Sequence, residues 1–167
     1  PVHCTRSMRR FLESNRPWSH LIERDEIRLE TLDPGETLSF DGAEIRAFLT
    51  PHRGEDTDTI GVEIQGPKRT LVYVSDADVF PPALAERIRE ADVALIDGTF
   101  YARDELPHRV ILEVKHPFVT ESLERFADAR GEVIFIHVNH SNALLAPEPP
   151  TLPDGFGVAR EGNSFAL

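Results

Sequence analysis

The 167-residue chain has one cysteine, Cys4, and also one methionine and one tryptophan. A single cysteine excludes a disulfide within the chain and any zinc site that is built from several cysteines. Sparing use of cysteine is typical of reducing compartments, so we expect a cytoplasmic protein.

The chain has no long apolar run. No segment approaches the ~20 consecutive apolar residues that a membrane helix needs, and the first residues lack the apolar stretch of a signal peptide. We therefore expect no membrane partner. Because the first residue is Pro1 rather than methionine, we expect the chain to be cut, processed or incomplete.

Positive charge is also scarce. The chain has 18 Lys and Arg against 29 Asp and Glu, and its formal net charge is −11. This balance argues against a general nucleic-acid surface, which needs clustered cations. The basic group around Arg6, Arg9, Arg10 and Arg16 is interpreted as a solvated helix face, with a phosphate site as the less favoured alternative. We expect a small-molecule substrate as the partner instead.

Composition and patterning predict one domain over residues 1–167. Apolar content of 40% and charged content of 28% are ordinary for a globular protein. The predicted elements of the first half are a helix over 5–13, a strand over 27–32, and hairpins over 38–49 and 60–74. Those of the second half are helices over 81–90 and 118–129, strands over 93–96 and 133–138, and a closing hairpin of 157–159 with 164–167. Antiparallel hairpins followed by strand–helix–strand units predict a mixed α/β (α+β) fold with helices on at least one face of the sheet.

Histidine and aspartate follow several of the predicted strands. The residues at these strand ends are His52, Asp76, Asp78, Asp97, His137 and His140. Both residue types are ligands for zinc, iron or manganese, and α/β proteins place ligands at the carboxyl ends of their strands. The sequence therefore indicates a shared site, and two histidines at one strand end favour it most.

Each candidate also has a structural interpretation. His52 and the aspartates suit turns or helix caps, and His116 suits the entry to a helix. As a functional residue, His116 is placed to act as a general acid or oxyanion stabiliser, and Asp97 to orient a histidine. The other histidines, His3, His20 and His108, stand in polar contexts and are predicted to be surface residues.

In this order, the segments resemble the second half of a metallo-β-lactamase-fold hydrolase. Thr50-Pro51-His52-Arg53 resembles the third metal-binding motif, Tyr73-Val74-Ser75-Asp76 the strand whose aspartate bridges two metals, and Ile136-His137 the last ligand strand. The similarity is closer to the coenzyme PQQ biosynthesis protein B branch, through Asp97-Gly98-Thr99-Phe100, His116-Pro117 and residues 135–142. The resemblance implies a partial αββα sandwich that lacks the N-terminal part of the full fold.

The chain departs from the superfamily pattern in two ways. The His-x-His-x-Asp-His signature, which the family supplies upstream, is absent. The resemblance then leaves His52 for one metal, His137 for the other and Asp76 between them, with His140 as the alternative to His137. Typical members of the PQQ branch lack His52, so its presence implies a paralogue with a hydrolase-type site.

The resemblance implies a metal-dependent hydrolase that uses a metal-activated hydroxide at a two-zinc site, with iron or manganese as alternative metals. His116, oriented by Asp97, would be its catalytic helper; the two resemble the His and carboxylate pair of the related ribonuclease Z. Superfamily members are often dimers, so a homodimer is compatible with the resemblance. The alternatives are a truncated or degenerate binding protein without catalysis, and a metal-dependent oxidase or hydroxylase of PQQ biosynthesis. The sequence does not identify the substrate.

Overall fold

The computed structural model of the protein describes residues 1–105 and 115–167. The prediction that His108 is a surface residue lies outside these ranges. In the described part of the chain, no helix has both the length and the apolar character needed to cross a bilayer.

Seven strands form one mixed sheet in the order of the chain. They are β3 (Thr37–Phe40), β4 (Ala43–Leu49), β5 (Ile60–Gln65), β6 (Thr70–Val74), β7 (Val93–Asp97), β8 (Glu132–Ile136) and β9 (Phe156–Val158). Neighbours from β3 to β6 are antiparallel, whereas those from β6 to β9 are parallel. It follows that β4, β6, β7 and β8 all point in the same direction and end at the same edge of the sheet.

A smaller layer is formed by the N-terminal residues. Strand β1 (Val2–Cys4) pairs in parallel with β2 (Leu29–Thr31), and between them lie helices α1 (Arg6–Ser14) and α2 (Trp18–Glu23). Thr5 is the N-cap of α1, and its hydroxyl accepts a hydrogen bond from the backbone N–H of Met8.

Helices α3 (Pro82–Glu90) and α4 (Val119–Arg125) cover one face of the large sheet. Alternate side chains of the central strands, including Val74, Ile96 and Phe135, are fully buried beneath these helices. The other face has a smaller core around Leu71, Val93 and Ile134, against which Phe165 and Leu167 pack. The mixed α/β fold class predicted from the sequence is confirmed.

Several element predictions need correction. The closing hairpin is wrong: β9 joins the sheet in parallel beside β8, and residues 164–167 form no strand but cover the second core. The helix predicted over 118–129 begins at Val119 and ends at Arg125, and the strand over 27–32 is reduced to β2. Strand β1 and helix α2 were not predicted, because each is too short to display a clear hydrophobic period.

Candidate metal centre

The parallel edge of the sheet brings the predicted site residues together. Asp97 is the last residue of β7, whereas Asp76 and His137 follow the ends of β6 and β8. The segment before α4 reaches the same edge because Phe100 and Phe118 form a β-bridge, in which the N–H of Val119 donates to the Phe100 carbonyl at 2.9 Å.

Four side chains form a compact His/Asp cluster at this edge. Ligand atoms of Asp76, Asp97, His116 and His137 lie within 4.8 Å of one another. The His116 ring centroid lies 5.6 Å from that of His52 and 5.9 Å from that of His137. Residues as far apart in sequence as Asp76 and His137 therefore share one small volume, as the strand-end pattern predicts.

Asp97 is the organising residue of the cluster rather than a free ligand. Its side chain is 0% exposed, and both carboxylate oxygens accept two hydrogen bonds. Oδ1 accepts from the backbone N–H and the hydroxyl of Thr99, at 2.8 and 2.6 Å. Oδ2 accepts from the backbone N–H of Ala77 at 3.0 Å and from His116 Nδ1 at 2.7 Å. With all four lone-pair positions engaged, Asp97 is suited to orient its neighbours.

Thr99 links the two histidines of the cluster. Its Oγ1 lies 3.2 Å from His116 Nδ1 and 3.0 Å from His137 Nδ1. Its own proton goes to Asp97, so one hydroxyl oxygen lies within hydrogen-bond distance of both imidazoles of the cluster.

The pKa of His116 is raised above its ordinary value of 6.5, mainly by the hydrogen bond to Asp97. Partial burial opposes the shift, and the negative charges of Asp97, Asp76 and Asp78 add to it. A raised pKa keeps the imidazole protonated to a higher pH, which is the property that a general acid needs near neutrality.

Asp76 lies between two histidines. Its Oδ1 is 3.6 Å from His52 Nε2 and 3.6 Å from His137 Nδ1. Two ligand atoms that are each about 2.1 Å from one tetrahedral zinc ion lie about 3.4 Å apart, so both separations fit a carboxylate shared by two metal positions. Three side chains are fewer than two zinc ions require, since each ion takes three or four protein ligands. The residues present fit a zinc site as part of its donor set.

The two candidate histidines after β8 differ in their positions. His137, with a side chain that is 44% exposed, belongs to the cluster, whereas His140 is exposed and outside it. His137 adopts a left-handed backbone conformation, φ 55°, which is uncommon for a residue other than glycine. Asn142 secures the following loop, because its buried side-chain amide donates to the carbonyl of Gly98 at 2.8 Å.

Sequence reasoning missed the contributions of Thr99, Asn142 and Asp78. Thr99 is part of the Asp97-Gly98-Thr99-Phe100 segment, where an acid two positions before a hydroxyl residue is a signal for a local side-chain turn. Asn142 gives no comparable signal. Asp78 is a recognisable strand-end carboxylate, but only the structure pairs it with His52, at 2.9 Å between Oδ1 and Nδ1.

Comparison with known proteins places these features in a family. The family described as the β-lactamase superfamily domain matches residues 1–138. Coenzyme PQQ synthesis protein B of Azotobacter vinelandii is 29% identical over 99% of this chain and 65% of its own length. The chain thus spans just under two thirds of this relative.

Solved structures share the fold. Zinc-bound PqqB from Methylobacterium extorquens has a TM-score of 0.80 at 21% identity, covering 99% of this chain and 64% of that chain. A diphosphatase from the PhnP family has a TM-score of 0.65 at 18% identity, covering 98% of this chain and 56% of the other. The resemblance to this superfamily and to its PQQ branch, inferred from the sequence motifs, is confirmed.

Proposed function

The chain belongs to the β-lactamase superfamily, and we propose that it carries part of the active site of a PQQ-protein-B-like, metal-dependent hydrolase. The observation that carries the proposal is the convergence of Asp76, Asp97, His116 and His137 at one sheet edge. Fold neighbours that include a zinc-bound PqqB and a diphosphatase support it. Because the chain covers 64–65% of such relatives, the activity is proposed for the whole encoded protein.

Zinc is the proposed metal, held in this chain by three side chains. His52 and His137 lie on either side of Asp76, and the cluster contains the nitrogen and oxygen donors that zinc takes. When bound, the metal supplies hydroxide as a nucleophile at neutral pH by lowering the pKa of coordinated water to about 7.

His116 is the proposed general acid. Asp97 accepts a hydrogen bond from its Nδ1, so the opposite ring nitrogen remains available to donate a proton to the leaving group. The raised pKa of His116, caused first by that hydrogen bond, keeps the donating form populated at neutral pH. Asp97 acts through His116 and is a positioning residue.

The test is the double variant His52→Ala with Asp76→Ala in the whole encoded protein. We expect loss of zinc binding and of hydrolysis of bis(p-nitrophenyl) phosphate, because the variant removes one histidine ligand and the shared carboxylate. Metal content after zinc loading and dialysis, with the hydrolysis rate, measures both effects.

The matched control is His20→Ala with Asp154→Ala, which removes the same residue types from exposed positions outside the cluster. We expect full zinc content and activity in the control. Retention of zinc at full stoichiometry by the His52 and Asp76 variant would show that the site is misassigned.

A second candidate is a metal-dependent oxidase or hydroxylase of PQQ biosynthesis; the names of the curated relatives support the part in PQQ synthesis. Iron rather than zinc in the protein as isolated, with no hydrolysis by the zinc-loaded form, would favour this candidate.

For both candidates the proposed substrate is a small molecule and the proposed location is the cytoplasm. A protein that holds neither metal and hydrolyses nothing would instead be a non-catalytic binding member, and a homodimer is compatible with any of the three.

A further inference from the structure

We propose that Asp78 is a positioning residue for His52, whose ring it holds so that Nε2 faces Asp76 and the metal position. The inference rests on the proposed metal site. It assigns to Asp78 a role distinct from that of Asp76, which lies two residues before it on the same loop.

The His52 ring contacts a different carboxylate with each nitrogen. Nδ1 lies 2.9 Å from Asp78 Oδ1, within hydrogen-bond distance, whereas Nε2 lies 3.6 Å from Asp76 Oδ1. Within residues 1–105 and 115–167, the Asp78 contact is the one hydrogen bond that this ring makes. Asp78 therefore determines the direction in which Nε2 points.

Asp78 also holds the backbone next to His52. Its N–H donates to the Pro51 carbonyl at 2.6 Å. The segment that follows, Arg53 to Asp56, is exposed, whereas the side chains of His52 and Asp78 are only 19% and 23% exposed. A backbone and a side-chain contact from one residue thus attach the start of this exposed loop to the loop after β6.

The contact between Asp78 and His52 determines which nitrogen of the His52 ring carries the proton. A neutral histidine carries its proton on one nitrogen and offers a lone pair on the other, and a carboxylate at Nδ1 fixes the proton there. The lone pair of Nε2 is then directed at the metal position, an arrangement in which removal of the carboxylate typically weakens metal binding about 10–100-fold.

The experiment measures zinc affinity by competition with a chelator in the whole encoded protein. Asp78→Ala should weaken zinc binding about 10–100-fold, whereas Asp78→Asn, whose amide oxygen still accepts from Nδ1, should restore most of the loss. Glu55→Gln, which removes one exposed carboxylate from the neighbouring loop, is the control and should bind like the unaltered protein. A role limited to the backbone contact would not separate Ala from Asn, since both retain the N–H.

Two spectroscopic measurements distinguish failure of this inference from failure of the proposed function. The visible absorption of the cobalt-loaded protein should keep its band positions in Asp78→Ala at saturation; a change in these bands would make Asp78 a metal ligand and overturn the positioning role. In the metal-free protein, nitrogen-15 spectra should show His52 protonated on Nδ1 and a loss of that preference in Asp78→Ala. Equal zinc affinity of Asp78→Ala and the unaltered protein refutes the inference alone, whereas failure of the unaltered protein to bind zinc refutes the proposed function.

Discussion

At the scale of single residues, Asp97 determines the chemistry of the cluster. It is a fully buried carboxylate that accepts four hydrogen bonds from three residues, namely Ala77, Thr99 and His116. A buried charge is costly unless its partners satisfy it. The same four contacts attach the loop after β6 to the segment before α4, so the charge of Asp97 and the geometry of the cluster depend on each other.

Asp97→Asn should lower the pKa of His116. The amide retains the shape of Asp97 but has no charge, and its NH₂ faces the Ala77 N–H and His116 Nδ1, which are donors or cations. We expect the His116 pKa to fall from its raised value and the free energy of unfolding to fall by about 1–3 kcal/mol. Proton NMR titration of the metal-free protein measures the first effect and urea unfolding the second.

The stabilisation of the folded protein by the Asp97–His116 pair should depend on pH in one direction. Because the folded-state pKa of His116 lies above 6.5, the Asp97 pair stabilises the folded protein below that pH, and the stabilisation is lost as pH rises through the folded pKa. The stability difference between Asp97→Asn and the unaltered protein should therefore shrink on going to alkaline pH. Asp104→Asn, at an exposed carboxylate, should leave the His116 pKa unchanged; an equal shift there would point to long-range charge rather than the hydrogen bond.

At the scale of elements, strand direction explains why much of the site was predictable. Apolar strands followed by Asp or His have a sequence signal, and parallel strands end at one edge, so Asp76, Asp97 and His137 were predictable as neighbours. The choice between His137 and His140 was not predictable, because both histidines follow the same strand; the structure places His137 in the cluster and His140 outside it. The contact of Asp78 with His52 depends on packing between two loops and leaves no period or spacing in the sequence.

The fold, like the site, was predictable from the sequence only where a local pattern carries the signal. Hairpins such as 37–49 carry a local turn signal at Asp41-Gly42 and were predicted closely. The C-terminal residues instead join the sheet through β9, beside a strand more than 20 positions earlier. Pairing between distant segments is decided by burial across the whole sheet, which a local pattern does not encode.

Gly131 is an element-scale position where a single methyl group should destabilise the fold. It lies between α4 and β8, and a Cβ atom there would be 2.2 Å from the carbonyl oxygen of Asp92 in the connection before β7. Since this carbonyl oxygen is a backbone atom that cannot move aside easily, Gly131→Ala should lower the free energy of unfolding by about 1–3 kcal/mol through overpacking. Urea unfolding measures the loss.

Gly54→Ala is the control for that change. Its Cβ would be 3.7 Å from the Thr57 carbonyl oxygen, an ordinary contact, so we expect little change in stability. Equal losses at both glycines would contradict the explanation by close approach, since Gly→Ala at an unstrained position should stabilise slightly by restricting the unfolded chain.

At the scale of the whole chain, net charge bears on the proposed class of substrate. Asp97 and His116 resemble the pair of ribonuclease Z, yet the chain carries a charge of −11. Two arginines of its basic group are already engaged: Arg6 pairs with Asp33 at 2.7 Å and Arg9 with Glu13 at 3.0 Å. A nucleic acid must be bound largely through cations that neutralise phosphates, so the charge of this chain supports the proposal of a small-molecule substrate.

We therefore expect the 167-residue chain not to bind transfer RNA at physiological salt. Fluorescence anisotropy of labelled RNA should stay unchanged at chain concentrations of about 10 µM, within the range where proteins with phosphate-binding surfaces bind nucleic acid non-specifically. The double variant Glu13→Gln with Asp33→Asn releases Arg6 and Arg9 from their partners and should raise any residual binding at low salt. If the unaltered chain binds RNA at physiological salt with an affinity that falls steeply as salt rises, its arginines form a phosphate-binding surface despite the net charge. A nucleic-acid substrate would then replace the small molecule.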